Sequence, residues 1–435
     1  MGAIIDTDTD TFENTIPEPV KEGYGCVSFT NSLKCDFQSD DMQDYHVEAY
    51  EGAMQYLHWN KDDQVSFPQT NGDFESSTAD QPSYNSELVI RTVRRSSLVR
   101  AAYQIVGEGD SYQDLARSSL DKGILNDLFK GGMNENDTWR VRLRQYGSNS
   151  KEGKEKQYGK QMRSPMSAEK EALNGLKDLL IKLGGDVDLK KAHCSLYIFE
   201  GLKGRQKVLA RQIARGPKTS SIAPVTRICV TNTPLCPIAA FNMCNLARIK
   251  DGQKILDPFA GSCATLLASA MIAPNCQTVG IEVAHNGQVN REDVLSDFGS
   301  RNLTLPVSLI HGDCTLKSIR DEARAAIGNE PFDIILTDPP YGIREKTGYC
   351  EDTPLSELMK CIAKDKEDGS PLLKKGGRLV AFVPNTVDTN VMEDGIPSDK
   401  VLEQAGLELC EMREQYLNDF LSRWLVEFKC IDDGT

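Results

Sequence analysis

Phe332-Asp333-Ile334-Ile335-Leu336-Thr337 runs directly into Asp338-Pro339-Pro340-Tyr341-Gly342-Ile343-Arg344-Glu345. The first six residues are short, β-branched and almost uninterrupted in their apolar character, the pattern of a strand buried on both faces. Asp338–Tyr341 therefore stands at the C-terminal end of a strand, the edge of an open α/β sheet at which ligands bind. Two successive prolines fix φ near −65° and lack N–H groups, and a residue before proline is pushed to extended conformations. The result is a stiff bracket. An ionised carboxylate and a proline carbonyl offer acceptors only, so the natural guest carries an NH₂ group. Tyr341 adds a flat ring on which a planar heterocycle can stack. Acceptors aimed at both N–H bonds of an exocyclic amine pull its nitrogen toward tetrahedral geometry and stabilise the charge that develops as it attacks a methyl group. An ordinary turn is the plainer reading of Asp-Pro and Gly, and the surrounding chain argues against it.

Around this strand the C-terminal half alternates. Thr231-Asn232-Thr233-Pro234-Leu235 supplies a cap and a first-turn proline ahead of a helix over 238–247. Strands are expected at 254–256, 278–281, 307–310, 332–336 and 378–383, separated by helices at 264–272, 289–298, 318–327 and 354–364. Such alternation implies an α/β fold, a parallel sheet with helices on both faces. Residues 407–416 and 423–429 have only a short connection, so the hairpin puts one antiparallel strand into the sheet.

Three further strand ends carry carboxylates. The first closes in Asp257-Pro258-Phe259-Ala260-Gly261-Ser262-Cys263 and turns into a helix, whose N-terminal N–H groups suit a carboxylate ligand. The second ends in Glu282, 25 residues after Asp257, where a carboxylate can grip the two hydroxyls of a ribose. The third ends in His311-Gly312-Asp313-Cys314, where Asp313 can accept from an adenine amino group. Each alone reads as a solvated carboxylate; three in order before the proline bracket form a constellation.

Composition bounds the rest. At 435 residues the chain has room for two or three domains. Its 13 cysteines include no C-x-x-C pair, which offers no zinc knuckle and points to free thiols in a reducing compartment. No run of about 18 apolar residues exists and the N-terminus has no basic start, so a soluble, cytoplasmic protein is expected. The net charge of −14 is unevenly distributed. Residues 1–90 hold 18 Asp/Glu against 3 Lys/Arg; residues 91–218 hold 15 against 26. The middle segment is therefore a candidate nucleic-acid surface despite the acidic total. Residues 1–85 read as an acidic, disordered or incomplete segment. Arg91, Arg94, Arg95 and Arg100 follow a helical spacing with Val93, Leu98, Ala101 and Ala102 as the buried side, then a strand from Tyr103, a turn at Gly107–Asp110 and a helix over 112–120. Thr138–Arg144 alternates with period two and sets Arg140, Arg142 and Arg144 on one face, an RNA-like feature that a solvated strand face would also show. A long helix is expected over 167–183 and a strand at Cys194–Phe199, completing a compact α+β module.

With these residues quoted, the chain resembles the class I S-adenosylmethionine-dependent methyltransferases that act on amino groups. Asp338–Glu345 with Lys346-Thr347-Gly348, together with Thr231–Leu235, narrows the resemblance to the catalytic subunit of eukaryotic tRNA (guanine-10-N2) methyltransferases. Arg91-Thr92-Val93, Gly107-Glu108-Gly109 and Asp188-Leu189-Lys190-Lys191 match that family's tRNA-binding part. The resemblance implies a Rossmann-like, mostly parallel methyltransferase sheet at 221–435 with one antiparallel C-terminal strand, preceded by a smaller α+β THUMP-like domain at 86–220. It implies Asp338, Pro339, Pro340 and Tyr341 as the catalytic bracket. Asp257, Phe259, Gly261, Glu282 and Asp313 would hold S-adenosylmethionine, and Arg91, Arg94, Arg95, Arg140, Arg142, Arg144 and Arg344 would meet tRNA. It also implies a small zinc-binding activator as partner, with no metal site in the chain itself. A base in a stem must be flipped out to reach such a pocket. Cys263 and Ala264 stand where the family carries glycines, and a Cβ fits there if the backbone keeps a negative φ. The rivals are a THUMP methyltransferase for another tRNA guanine, a DNA adenine N6-methyltransferase and a catalytically silent RNA-binding subunit.

Overall fold

The computed structural model describes residues 3–7, 45–48, 54–56, 93–97, 99–133, 136–146, 161–162, 166–201, 206–283, 289–341, 353–386, 389–418 and 420–432. Among them the chain divides between Pro217 and Lys218 into two compact units.

The first unit is a twisted sheet with helices on one face. Its central strands are β4 (Val99–Gly109), β5 (Thr138–Tyr146), β8 (Cys194–Glu200) and β9 (Lys207–Arg215), in spatial order β4-β9-β8-β5. Short strands β1 (Ala3–Thr7), β2 (Tyr45–Glu48) and β3 (Met54–Tyr56) continue the β4 edge, while β6 (Gln161–Met162) and β7 (Asp186–Val187) join β5. Most of the acidic segment 1–85, including the strand-like Gly25–Phe29, lies outside the described residues. Alternation in β8 sorts the core. Leu196 and Ile198 face helices α1 (Tyr112–Asp121), α2 (Met166–Gly175) and α3 (Lys177–Leu180), whereas Tyr197 and Phe199 pack with Tyr103 and Ile105 on the opposite face.

Three local expectations are corrected here. Among the described residues the arginine-spaced stretch is helical over Val93–Arg95, and Ala101 and Ala102 belong to β4. That strand is hydrogen-bonded to β1 on one side and β9 on the other and is buried on both faces, a placement no helical stripe can satisfy. Gly107 and Gly109 are likewise in β4 and form no turn. A Cβ on Gly107 would lie 2.8 Å from the Ser119 backbone nitrogen, and one on Gly109 2.5 Å from that of Leu115. These glycines let α1 approach the strand. The helix expected over 167–183 is two, broken between Gly175 and Lys177.

The second unit is a seven-stranded sheet. In chain order its strands are β10 (Lys254–Asp257), β11 (Gln277–Glu282), β12 (Ser308–His311), β13 (Phe332–Thr337), β14 (Leu373–Thr386), β15 (Leu407–Asn418) and β16 (Leu421–Cys430), and their spatial order is β12-β11-β10-β13-β14-β16-β15. All neighbours are parallel except β16, which runs antiparallel to both β14 and β15. This is the Rossmann-like class I methyltransferase sheet anticipated from the sequence. Ile334, Leu336, Val380 and Phe382 pack with helices α4 (Pro237–Leu246) and α5 (Ala264–Ile272). Ile335, Leu379, Ala381 and Val383 pack on the other face with α8 (Pro354–Glu367), the element that follows α6 (Arg291–Gly299) and α7 (Lys317–Ala326). Strand order reverses between β10 and β13, so the loops after these neighbours flank the crevice where α/β sheets bind ligands. No described helix is long and apolar enough to cross a membrane.

Candidate active site

The loop after β10 is built from the inside. Asp257, only 2% exposed, uses Oδ1 to accept the Phe259 N–H at 3.1 Å and Oδ2 to accept the Thr265 hydroxyl of α5. The carboxylate thus ties the strand end to the helix start. The loop folds back on β11 through Ala260 N–H to Ile281 O at 2.8 Å, and Gly261 N–H donates to Glu282 Oε2 at 2.7 Å. Gly261 has φ +49°, and a Cβ there would meet only Thr231 Cγ2 at 3.8 Å, leaving an open approach to the backbone. Cys263, the residue just before α5, has φ +63°. The negative φ expected for a side chain at this point is therefore not what the loop adopts. A non-glycine residue in the left-handed region costs about 1–2 kcal/mol, which the burial of Cys263 on the α5 side helps to offset. Burial also pushes its thiol well above the ordinary cysteine range.

Residues distant in sequence brace this loop, and no local signal announces them. The buried Arg227 guanidinium donates to Ser262 O and lies 3.6 Å from Asp297. Asp297, fully buried, accepts the N–H groups of Ile228 and Cys229 at 2.9 and 3.0 Å and pairs with Arg301 at 3.0 Å. Beyond β12, Asp313 Oδ1 accepts both the N–H and the hydroxyl of Thr315 at 2.8 Å, shaping the turn into α7.

Burial raises the Asp257 carboxyl to about 7, against the lowering effect of its Thr265 and Phe259 hydrogen bonds. An acid whose folded value is raised favours folding below its unfolded value of about 4 and loses that contribution as pH rises toward 7. Asp257→Asn can keep the Phe259 bond and reverse the one to Thr265. Relative to this variant, the wild type should lose about 2 kcal/mol of unfolding free energy between about pH 5 and pH 8. Urea unfolding of both proteins across that range measures it, and a pH-independent difference would contradict the assignment.

Across the crevice stands the bracket. Thr337 and Pro339 are buried, while Asp338 and Tyr341 are half-buried. The Tyr341 hydroxyl donates to Asp338 Oδ1, and burial together with that carboxylate raises the phenol above the ordinary tyrosine value. Arg423 of β16, 7% exposed, reaches the same group: Nη1 lies 3.4 Å from Asp338 Oδ2 and 3.3 Å from the Tyr341 oxygen. Its Nε donates to Gln415 of β15 at 2.7 Å, and its guanidinium stacks 3.9 Å from the Phe382 ring centre. Neither Arg423 nor Gln415 is marked by sequence pattern; the antiparallel hairpin carries them to the bracket.

The structure brings Asp338, Pro339, Pro340 and Tyr341 together on one strand end, and Asp257, Phe259, Gly261, Glu282 and Asp313 on three others of the same sheet. The arginines belong to the first unit, apart from Arg344, which with Arg91 lies outside the described residues. Arg94 is exposed and Arg95 half-buried. The β5 arginines are engaged locally. Arg140 donates to Ser195 Oγ at 2.9 Å and to the carbonyls of Leu189 and Lys190, Arg142 donates to Leu189 O at 2.8 Å, and Arg144 lies 4.9 Å from the Tyr197 ring centre. Their face is in part a packing surface. Among the described residues no group of three His, Cys, Asp or Glu is placed to hold a metal ion.

The profile of the RMKL-like methyltransferase domain matches residues 224–303. The chain is 25% identical over 347 residues to the tRNA (guanine(10)-N(2))-methyltransferase TRMT11 of Dictyostelium discoideum, covering 70% of this chain and 64% of that protein. It is 23% identical over 396 residues to the TRMT11 of Xenopus laevis, covering 80% and 75%. The tRNA (guanine(10)-N2)-dimethyltransferase of Methanothermobacter thermautotrophicus is 29% identical over 160 residues, covering 37% and 41%. The chain thus spans just under two thirds of the Dictyostelium protein's length. The methyltransferase-domain match accordingly falls within the second unit, residues 218–435, and over most of its length the chain is similar to the tRNA (guanine-10-N2) methyltransferases.

Proposed function

We propose that the chain transfers a methyl group from S-adenosylmethionine to the exocyclic N2 amino group of a guanine in tRNA, guanine 10 by its similarity to TRMT11. The observation that carries this reading is the acceptor-only bracket at the end of β13, directly beside the glycine loop of β10 at the point where strand order reverses. S-adenosylmethionine, when bound, supplies an electrophilic methyl group on a sulfonium sulfur. The residues present fit it. Gly261 leaves its backbone open, Glu282 is fixed toward that loop for the ribose, and Asp313 stands at the next strand end. Asp257 acts through the loop it holds, and Phe259 lies within that loop.

At the bracket, Asp338 and the Pro339 carbonyl accept hydrogen bonds from the two N2–H groups, the substrate amine takes the place on Oδ1 that the Tyr341 hydroxyl uses here, and the proton that N2 loses on gaining the methyl group passes to the Asp338 carboxylate. Tyr341 then stacks on the base. Holding the amine on the line of attack supplies much of the acceleration.

The proposed organisation keeps an acidic segment at 1–85, a THUMP-like tRNA-binding region at 86–220 and the methyltransferase domain at 221–435. Basic residues of the middle region, with Arg94 the most exposed of the described candidates, would meet phosphates together with Arg91, Arg95, Arg140, Arg142, Arg144 and Arg344. A small zinc-binding activator is proposed from the resemblance alone, and a cytoplasmic location from the 13 cysteines without a C-x-x-C pair, which suit a reducing compartment.

Transfer from labelled S-adenosylmethionine to unmodified tRNA, with and without the activator, followed by nucleoside analysis, tests the reading. N2-methylguanosine is the expected product. N6-methyladenosine on DNA would replace the substrate assignment, and absence of both transfer and cofactor binding would leave a silent RNA-binding subunit.

A further inference from the structure

A bracket that holds an exocyclic amine does not by itself choose between guanine, adenine and cytosine, all of which carry one. The group beside Asp338 does. Reading across the site, Asp338 Oδ1 and Oδ2 are acceptors and Arg423 Nη1, 3.4 Å from Oδ2, is a donor. The Watson–Crick edge of guanine runs N2 amino donor, N1–H donor, O6 acceptor, and an acceptor–acceptor–donor row complements it. Adenine would set its unprotonated N1 against Oδ2 and offers no acceptor to the guanidinium.

We propose that Arg423 is a specificity-determining residue that donates to O6 of the target guanine while Asp338 accepts hydrogen bonds from one N2–H and from N1–H, the pair presenting the hydrogen-bonding face of a cytosine. The inference rests on the guanine-N2 reaction proposed above. Four contacts of Arg423 support it. The Nε bond to Gln415 at 2.7 Å and the stacking on Phe382 at 3.9 Å hold the guanidinium plane in place. The contacts of Nη1 with Asp338 and Tyr341, at 3.4 and 3.3 Å, are longer than the usual N–H···O distance of about 2.9–3.0 Å, so a tighter acceptor can take that donor. No described residue accepts from Nη2. Phe382, Pro339, Pro340 and Tyr341 also line a cavity of about 200 Å³, so the ring beneath Arg423 belongs to the wall next to the bracket. Flipped bases are read through their Watson–Crick edge in sites of this kind.

The test compares kcat/KM for tRNA carrying guanine or 6-thioguanine at the methylated position, the thio analogue keeping N1–H and N2 while putting a larger, weaker acceptor at position 6. Wild-type protein should prefer guanine about 10- to 100-fold, the worth of a hydrogen bond to a charged group. In Arg423→Met, which keeps the stem on Phe382 without a donor, and in Arg423→Ala, the preference should fall to within about threefold through loss on guanine. S-adenosylmethionine binding reports that each variant is folded. If Arg423 only braces Asp338, both substrates slow alike and the ratio stays at the wild-type value, which overturns the inference; so does a wild type indifferent to the analogue. A wild type that makes no N2-methylguanosine in tRNA instead overturns the proposed reaction, and this inference with it.

Discussion

Asp338→Ala is expected to lower methyl transfer by about 10²–10³-fold or more, the cost of removing one preorganised group from a reacting centre, while tRNA and S-adenosylmethionine binding remain close to wild type. The separation follows from where the carboxylate stands. Asp338 lies beyond the last core residue of β13 and is half-buried, so its removal opens no hole among Ile334, Ile335 and Leu336. The cofactor loop is tied by Asp257, Thr265 and Glu282 and does not hang on it. In the proposed reaction the variant loses the acceptor for the amine, an interaction that strengthens only as the nitrogen becomes tetrahedral. Single-turnover transfer measured beside equilibrium binding of both substrates decides the matter. A loss of tRNA binding that matches the loss of rate would show that Asp338 serves binding and not the chemical step.

The largest effect on stability is expected away from the bracket, at Arg320 of α7. Its guanidinium is 2% exposed and meets the 1% exposed Asp365 of α8 through two parallel bonds, Nε to Oδ2 at 2.6 Å and Nη2 to Oδ1 at 2.7 Å. Nη1 donates to the carbonyls of Cys314 and Thr315 at 2.9 and 2.8 Å. One side chain therefore joins two helices to the turn that presents Asp313. Arg320→Met leaves Asp365 charged and buried without its partner and should cost about 3–5 kcal/mol, whereas Arg320→Met with Asp365→Leu should recover a good part of it, since the desolvation of both charges is then removed. Urea unfolding of the two variants measures both costs. A single-variant cost under about 1 kcal/mol would mean that the pair is not buried as described. Because the turn also carries Asp313, weaker S-adenosylmethionine binding should accompany the single variant.

Most of the methyltransferase sheet was legible because its signals are local. Ile334-Ile335-Leu336 reads as a doubly buried strand from composition alone, and Asp338-Pro339-Pro340-Tyr341 reads as a rigid acceptor bracket because proline restricts the backbone wherever it stands. The antiparallel place of β16 followed from the shortness of its connection to β15. Reading failed where packing overrode pattern. The arginine spacing around residues 91–102 matched a helix, yet the alanines at 101 and 102 fill the interior of a strand bonded on both edges. Gly107 and Gly109 carried the composition of a turn and serve instead as contact points for α1, a role visible only once the helix lies against them.

By itself, then, the sequence determined the alternating α/β order, the strand ends on which four carboxylates stand and the acceptor-only composition of the bracket, since propensity, proline geometry and charge act over a few residues. Only the tertiary structure decided what surrounds those carboxylates. Arg423 reaches Asp338 across 85 positions and Arg227 reaches Ser262 across 35, while Arg320 reaches Asp365 across 45. Such pairs depend on strand order and helix packing, and a buried charge must find its partner in space wherever the chain happens to have placed it.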